Sequence, residues 1–149
     1  MNAGEQEHKR GRETWETREI EQLVENFESC TVPPAEFDHG AHLTVALWYL
    51  SELPAPLAEA RMRAGLRRYT AHHNAEAMYN ETITLFWLKL VRHFLERADA
   101  TRPLAERANE LLTTYNSSKL VFEYYSRELI QTPEAKTSWL EPDLKPLDF

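Results

Sequence analysis

The sequence predicts an all-α fold, an antiparallel bundle of four or five main helices followed by short C-terminal helices and an extended, proline-containing tail. Apolar residues recur at the three- and four-residue spacing of helix faces, and no stretch shows a convincing strand pattern. Only four glycines occur in 149 residues, which disfavours tight hairpins and glycine-rich phosphate loops. Short connections between helices favour antiparallel neighbours.

The first three helices are delimited by their apolar stripes, by caps and by prolines. We expect helix one at 17–28 and helix two at 38–53, with Asp38 as the N-cap of helix two. Helix three takes Pro56 in its first turn, where a proline is tolerated, and ends near His72. The stripe that predicts helix one consists of Ile20, Leu23, Val24 and Phe27.

Helix four, expected from about Tyr79 to Ala98, is the most apolar of the set, so we expect it in the centre of the bundle. Thr101 is a suitable cap for helix five, which has Pro103 in its first turn and ends near Tyr115.

The C-terminal part of the chain is broken by capping residues and prolines. Ser117 or Ser118 is expected to cap a short sixth helix, and a last short helix is expected at 132–139. The following residues, 141–146, contain two prolines and are expected to run extended along the surface. The expected anchors of this tail are Leu144, Leu147 and Phe149.

Composition indicates a single helical domain at 17–149, preceded by a flexible N-terminal arm at 1–16 in which Trp15 is the only large apolar group. The single cysteine, Cys30, excludes an internal disulfide framework and fits a reducing compartment. The N-terminus lacks the apolar core of a signal peptide, so we expect a cytoplasmic protein.

The charge balance bears on the class of partner. Seventeen basic and twenty-four acidic side chains give a net charge of −7. This acidity argues against nucleic-acid binding as the main task, because neutralising phosphates requires a basic surface. No apolar run reaches the roughly 20 residues that a membrane span needs, so no membrane partner is expected.

An antiparallel order would collect polar side chains at one pole of the bundle. Helices two and four would begin at that pole, and helices one, three and five would end there. The residues expected there are Cys30, His39, His42, His72, His73, Tyr79, Asn80, Glu81, Tyr115 and Asn116. A pole rich in ligand and acid–base side chains is the best candidate for a functional site.

Three residues of this pole suggest a metal site. His39 and His42 are three apart on one helix, and Glu81 lies in the first turn of another. Two imidazoles and a carboxylate would suit iron, manganese or zinc, with Tyr79 and Asn80 lining the entrance. Two alternatives are open: a metal-free pocket for a small polar ligand or acid–base chemistry, and a structural network that satisfies helix N-termini.

Helix three carries a basic patch of four arginines and a tyrosine. Such a patch would receive an anionic ligand or a nucleic-acid phosphate, or else form a solvated face paired with neighbouring acids. The patch consists of Arg61, Arg63, Arg67, Arg68 and Tyr69.

Four segments carry a further signal: residues 37–43, 79–84, 124–129 and 140–144. Together they resemble a family of small uncharacterised bacterial proteins with no established activity. Members share a phenylalanine with two spaced histidines, then Tyr-His-Glu-Thr, Tyr-Tyr-Ser and a closing Pro-Asp. The likeness covers about residues 35–148, and this chain departs from it at Asn80, where the family has histidine. Asparagine is a poor ligand for transition metals, so a site that needs this imidazole would be weakened. The resemblance implies that the pocket positions are His39, His42, Tyr79 and Glu81.

Two functions therefore emerge as hypotheses. The first is a soluble helical domain whose polar pocket binds a divalent metal or a small polar ligand. The second is a non-catalytic interaction module that uses its aromatic helices and its tail for a protein partner or for a homodimer. The sequence identifies neither a substrate nor a reaction.

Overall fold

A computed structural model describes residues 15–149, and this part of the chain is helical with no strand. Five longer helices form the body: α1 Thr17–Glu28, α2 His39–Glu52, α3 Ala55–His72, α4 Glu81–Arg97 and α5 Leu104–Thr114. Two short helices follow, α6 Arg127–Ile130 and α7 Pro133–Thr137. Three 3₁₀ turns lie at Pro34–Glu36, Glu76–Met78 and Ser118–Glu123. The all-α prediction is confirmed, while the antiparallel order of the bundle stays a prediction.

Side-chain caps begin α2 and α4, but the expected cap of α5 is not one. Asp38 accepts a hydrogen bond from the backbone nitrogen of Ala41 at 2.9 Å and caps α2. Asn80 caps α4 in the same way, so this helix begins at Glu81, two residues later than expected. Thr101 is not a cap, since its backbone nitrogen and hydroxyl both donate to Asp99 in a local turn. Helix α5 begins after Pro103 instead.

The last two residues of the expected N-terminal arm belong to the body of the protein. The backbone nitrogen of Trp15 donates to Oδ1 of Asn109 at 2.6 Å, and the Asn109 amide donates back to the Trp15 carbonyl at 3.3 Å. Glu16 is the N-cap of α1. The remainder of the expected arm, 1–14, lies outside the described residues.

Helix α4 supplies the centre of the core, as expected from its apolar sequence. Phe86, Leu88, Leu90 and Val91 are each at most 1% exposed. No helix within residues 15–149 combines the length and the apolar character that a membrane crossing requires.

Of the three expected anchors of the C-terminal tail, Leu147 and Phe149 pack against the core, and Leu144 does not. The Phe149 ring packs at 5.3 Å from Phe86 and 5.6 Å from Tyr124. The side chain of Leu144 is exposed, and only its backbone nitrogen binds the protein, donating to the Tyr124 carbonyl at 2.9 Å. Leu144 is therefore held through its backbone and not as an apolar anchor.

Candidate functional site

A buried carboxylate lies at the beginning of α4. Because the cap starts the helix at Glu81, this side chain is directed onto α3, where it is only 4% exposed. Arg63 reaches both of its oxygens, with Nη2 at 2.5 Å from Oε2 and Nε at 3.2 Å from Oε1. Arg67 places Nη2 at 3.4 Å from Oε1, and the Tyr79 hydroxyl donates to the same oxygen at 2.5 Å. Two guanidinium groups and a phenol thus surround one carboxylate.

The surroundings keep Glu81 ionised. Burial by itself would raise the pKa of Glu81, but hydrogen bonds from Arg63 and Tyr79 and the positive charges of Arg63 and Arg67 outweigh it. The pKa of Glu81 is therefore below its ordinary value. Burial and the adjacent carboxylate raise the pKa of Tyr79 to about 12, so this phenol stays protonated at neutral pH and keeps donating.

Arg67 links this cluster to the surface. Its guanidinium lies 5.0 Å from the centre of the Tyr79 ring, in a cation–π contact, and the side chain is about half exposed. Beside it is a cleft of about 420 Å³ between α3, the 3₁₀ turn before α4, and α7, which we call the Arg67 cleft. Its lining consists of Arg67, Thr70, Glu76, Ala77, Tyr79, Lys136 and Thr137.

The Arg67 cleft carries a positive balance on an acidic protein. Arg67 and Lys136 contribute two positive charges and Glu76 one negative charge, leaving +1. The ammonium of Lys136 donates to the Ala77 carbonyl at 3.3 Å, which holds α7 against the rim. The cleft therefore has cationic donors on two of its sides.

His39 has a structural partner at the start of α2. Its Nε2 lies 3.0 Å from the Tyr115 carbonyl oxygen, so Nε2 carries the proton and donates. Its ring also contacts the edge of Trp87, with centroids 4.6 Å apart. Burial lowers the pKa of His39, so the neutral imidazole is favoured. This histidine ties α2 to the end of α5.

His42 packs as an aromatic ring. It stacks on Phe37 with centroids 5.3 Å apart and planes 27° apart. Phe37 in turn contacts Phe27 and Tyr69, at 5.2 and 4.9 Å. Burial and, to a smaller extent, the charge of His39 lower the pKa of His42 to about 4. His42 is therefore neutral near pH 7 and belongs to an aromatic cluster.

The predicted metal triad is not assembled. Nowhere between residues 15 and 149 do three His, Cys, Asp or Glu side chains form a group that could hold a metal ion, and this includes His39, His42 and Glu81. Glu81 is bound by Arg63 and Arg67 of α3, whose charges are permanent, and these occupy the oxygens expected to meet the imidazoles. Glu81 therefore has its partners on α3, whereas His39 and His42 contact other groups.

Asn80 lies inside the fold and not at an entrance. It is buried, its side-chain oxygen accepts from the Ile83 nitrogen at 3.0 Å, and its amide nitrogen donates to the Ile130 carbonyl at 2.9 Å. The neighbouring Thr82 donates to the Ser138 carbonyl at 2.8 Å. The Asn80–Thr82 stretch therefore joins α4 to the C-terminal segments, and of the two predicted entrance residues only Tyr79 lines a cleft.

His73 and Cys30 of the expected pole, and Tyr69 of the basic patch, also have structural partners. Nε2 of His73 lies 3.1 Å from the Cys30 carbonyl, and Cys30 takes a positive φ of 63° at the end of α1. Tyr69 donates its hydroxyl to the Val32 carbonyl at 2.8 Å. These contacts satisfy two carbonyl groups of the segment that follows the C-terminal end of α1.

Sequence reasoning identified two of the seven residues that line the Arg67 cleft. Arg67 was in the basic patch and Tyr79 was in the expected pocket, but their meeting was not foreseen. Lys136 and Thr137 were missed, because they are more than 55 residues away in sequence and belong to a short helix with no charge pattern of its own. The i, i+4 spacing of Arg63 and Arg67 was the available signal for a carboxylate partner.

No protein-family model matches the chain, and no curated protein or solved structure is significantly similar to it. The resemblance to small bacterial proteins stays a prediction. The function is therefore argued from the geometry of the site alone.

Proposed function

We propose that this protein binds a small anionic ligand, carrying a carboxylate or phosphate group, in the Arg67 cleft. The observation that carries the proposal is a half-exposed guanidinium fixed by a buried carboxylate and a tyrosine ring at the edge of a cleft of about 420 Å³. A pre-positioned arginine suits planar oxyanions, because its donors lie in a rigid fork.

Arg67 has donors to spare. A guanidinium carries five N–H groups, and within residues 15–149 the Arg67 side chain makes one hydrogen bond, from Nη2 to Glu81. The long 3.4 Å distance of this bond contrasts with the close double contact of Arg63. Arg63 therefore neutralises Glu81, and the charge of Arg67 is left to act on the cleft.

Lys136 gives the second cationic contact. It approaches from α7, and within residues 15–149 its ammonium group donates one hydrogen bond, to the Ala77 carbonyl, which leaves further donors. Tyr79 adds an apolar ring face to the same cleft. A ligand with an anionic head and a small apolar or hydroxylated body matches this combination.

Thermal stability in the presence of anions tests the proposal. Inorganic phosphate, glycerol phosphate, succinate and citrate are compared with chloride at equal ionic strength. At ten times its dissociation constant a bound ligand stabilises by about 1.4 kcal/mol, which corresponds to a rise in Tm of about 4 °C for a chain of this size. We expect at least one of these anions to raise the Tm, with an effect that saturates as its concentration increases.

Variants locate the effect. Arg67→Gln is expected to abolish the anion-induced increase in Tm, and Lys136→Gln is expected to weaken it, since each removes a cationic donor of the cleft. Lys119→Gln is the matched control, because Lys119 is an exposed lysine outside the cleft. An anion response that persists in Arg67→Gln, or none with any of the four anions, contradicts the proposal.

The alternative function is an interaction module. Met78 favours it, since this large apolar side chain is 80% exposed next to the Arg67 cleft. Light scattering distinguishes the two functions. A homodimer that Met78→Ser converts to a monomer supports the alternative, and a monomeric wild-type protein that binds an anion supports the ligand site.

A further inference from the structure

Three side chains that line the Arg67 cleft are able to accept hydrogen bonds from a ligand but not to donate them. They are the hydroxyls of Thr70 and Thr137 and the carboxylate of Glu76. An anionic head group has no hydrogen to offer to any of these oxygens. The cleft therefore contains more polar groups than the binding of a bare anion would use.

The two threonines spend their single hydroxyl hydrogen inside their own helices. Oγ1 of Thr70 lies 2.9 Å from the carbonyl oxygen of Leu66, and Oγ1 of Thr137 lies 3.0 Å from that of Pro133. Because a carbonyl oxygen carries no hydrogen, the hydroxyl is the donor in both bonds. The lone pairs of each threonine oxygen are left for a ligand, so both residues present acceptors to the cleft.

Glu76 is the third acceptor and carries a charge. It is exposed in the 3₁₀ turn before α4, and none of the ion pairs found within residues 15–149 includes it. Its carboxylate would repel an anionic head group but would form a charge-assisted hydrogen bond with a hydroxyl group. An anionic ligand therefore gains from Glu76 only through a hydroxyl on its body.

Each helical wall of the cleft combines a cationic donor with an acceptor. Arg67 and Thr70 are three residues apart on α3, which makes them neighbours on the helix surface, and Lys136 precedes Thr137 in α7. The volume of about 420 Å³ has room for about fourteen water-sized groups at about 30 Å³ each. A ligand of this size can contact donors and acceptors on both walls at once.

We infer, on the basis of the proposed anion site, that the ligand is a polyhydroxylated anion, with a phosphate or carboxylate head and hydroxyl groups on neighbouring carbons. Sugar phosphates and sugar acids have this chemistry. Arg67 and Lys136 hold the head group, and the hydroxyl groups donate to Thr70, Thr137 and Glu76. These three acceptors distinguish the ligand from an anion of equal charge and size that lacks hydroxyl groups.

Paired ligands that differ only in their hydroxyl groups test this inference. Glycerol 3-phosphate is compared with n-propyl phosphate, and glycerate with propionate, at pH 8, where all four are ionised. Nuclear magnetic resonance titrations of the backbone amides give the dissociation constants. We expect the hydroxylated member of the better-binding pair to bind at least about fivefold more tightly than its partner. That pair also identifies the head group as phosphate or carboxylate.

Threonine variants locate the preference. Thr70→Val and Thr137→Val each remove one acceptor oxygen at nearly constant size, and each is expected to lower the ratio of the two dissociation constants at least about twofold. Thr113→Val is the matched control, because Oγ1 of Thr113 makes the same kind of bond, to the Asn109 carbonyl at 2.9 Å, in α5 and outside the cleft. The ratio is expected to stay unchanged in this control.

The outcomes separate this inference from the proposed function. Equal affinities within both pairs, with binding that Arg67→Gln abolishes, would overturn the inference and leave the anion site standing. A ratio that is unchanged when Thr70→Val and Thr137→Val are combined would overturn it as well, because the threonines would then not be the acceptors. Absence of binding by all four ligands would overturn both.

Discussion

Replacing His42 with phenylalanine tests the reasoning on buried histidines quantitatively. The pKa of this imidazole is about 4 in the folded protein, compared with 6.5 in an unfolded chain. As pH falls below 6.5, the unfolded chain takes up a proton that the folded protein does not, so stability falls. The full effect amounts to about 3 kcal/mol below pH 4, and about 2 kcal/mol of it is lost between pH 7 and pH 5.

Urea denaturation at pH 7, 6 and 5 measures this effect. His42→Phe retains a ring on Phe37, so the aromatic cluster keeps its contact and only the titrating group is lost. We expect the variant to lose about 2 kcal/mol less than the wild type between pH 7 and pH 5. His72→Gln, a change at an exposed histidine, controls for removing an imidazole. An equal loss in wild type and His42→Phe refutes the reasoning.

Three further predictions concern packing and caps, each measured by denaturant unfolding. Gly65→Ala is expected to destabilise by about 1–2 kcal/mol net of helix propensity, because the added Cβ lies 2.6 Å from the buried Phe27 ring; unchanged stability contradicts this close contact. Asn80→Ala is expected to lose about 2–3 kcal/mol, from a helix cap and a buried hydrogen bond, and a loss under 1 kcal/mol would argue against both roles. Glu81→Gln is expected to lose about 1–3 kcal/mol at pH 7, because it removes the ion pair with Arg63. The loss stays within this range because Arg63 is partly exposed and regains water. The lowered pKa of Glu81 means that wild-type stability falls as pH drops below about 4.5, and the variant should lack this component of the fall.

The fold was largely predictable because its signals are local. The stripe of α1 predicted the helix at the bounds that the structure has, Thr17–Glu28, and the prolines and Asp38 delimited the next two helices closely. Helix α6 was missed, since four residues are too few for a periodic pattern. The prediction that Thr101 caps α5 was wrong, because its hydroxyl donates to Asp99 in a local turn. A threonine hydroxyl can form this bond as readily as it can cap a helix N-terminus.

The candidate site was less predictable because it depends on which side chains meet. Glu81 was correctly placed in the first turn of α4, but the choice between histidines and arginines as partners is decided by the packing of α3 on α4. No periodicity encodes that choice. Lys136 enters the cleft through the docking of α7, a contact between segments far apart in sequence.

The central claim is that Arg67 is a fixed guanidinium with donors left for an anion. Nuclear magnetic resonance of the arginine Nε–Hε groups, during a titration with inorganic phosphate at constant ionic strength, tests it most directly. The account predicts a saturable shift of the Arg67 signal, with little change at Arg92, an exposed arginine outside the cleft. A shift at Arg67 no larger than that at Arg92 would contradict the account.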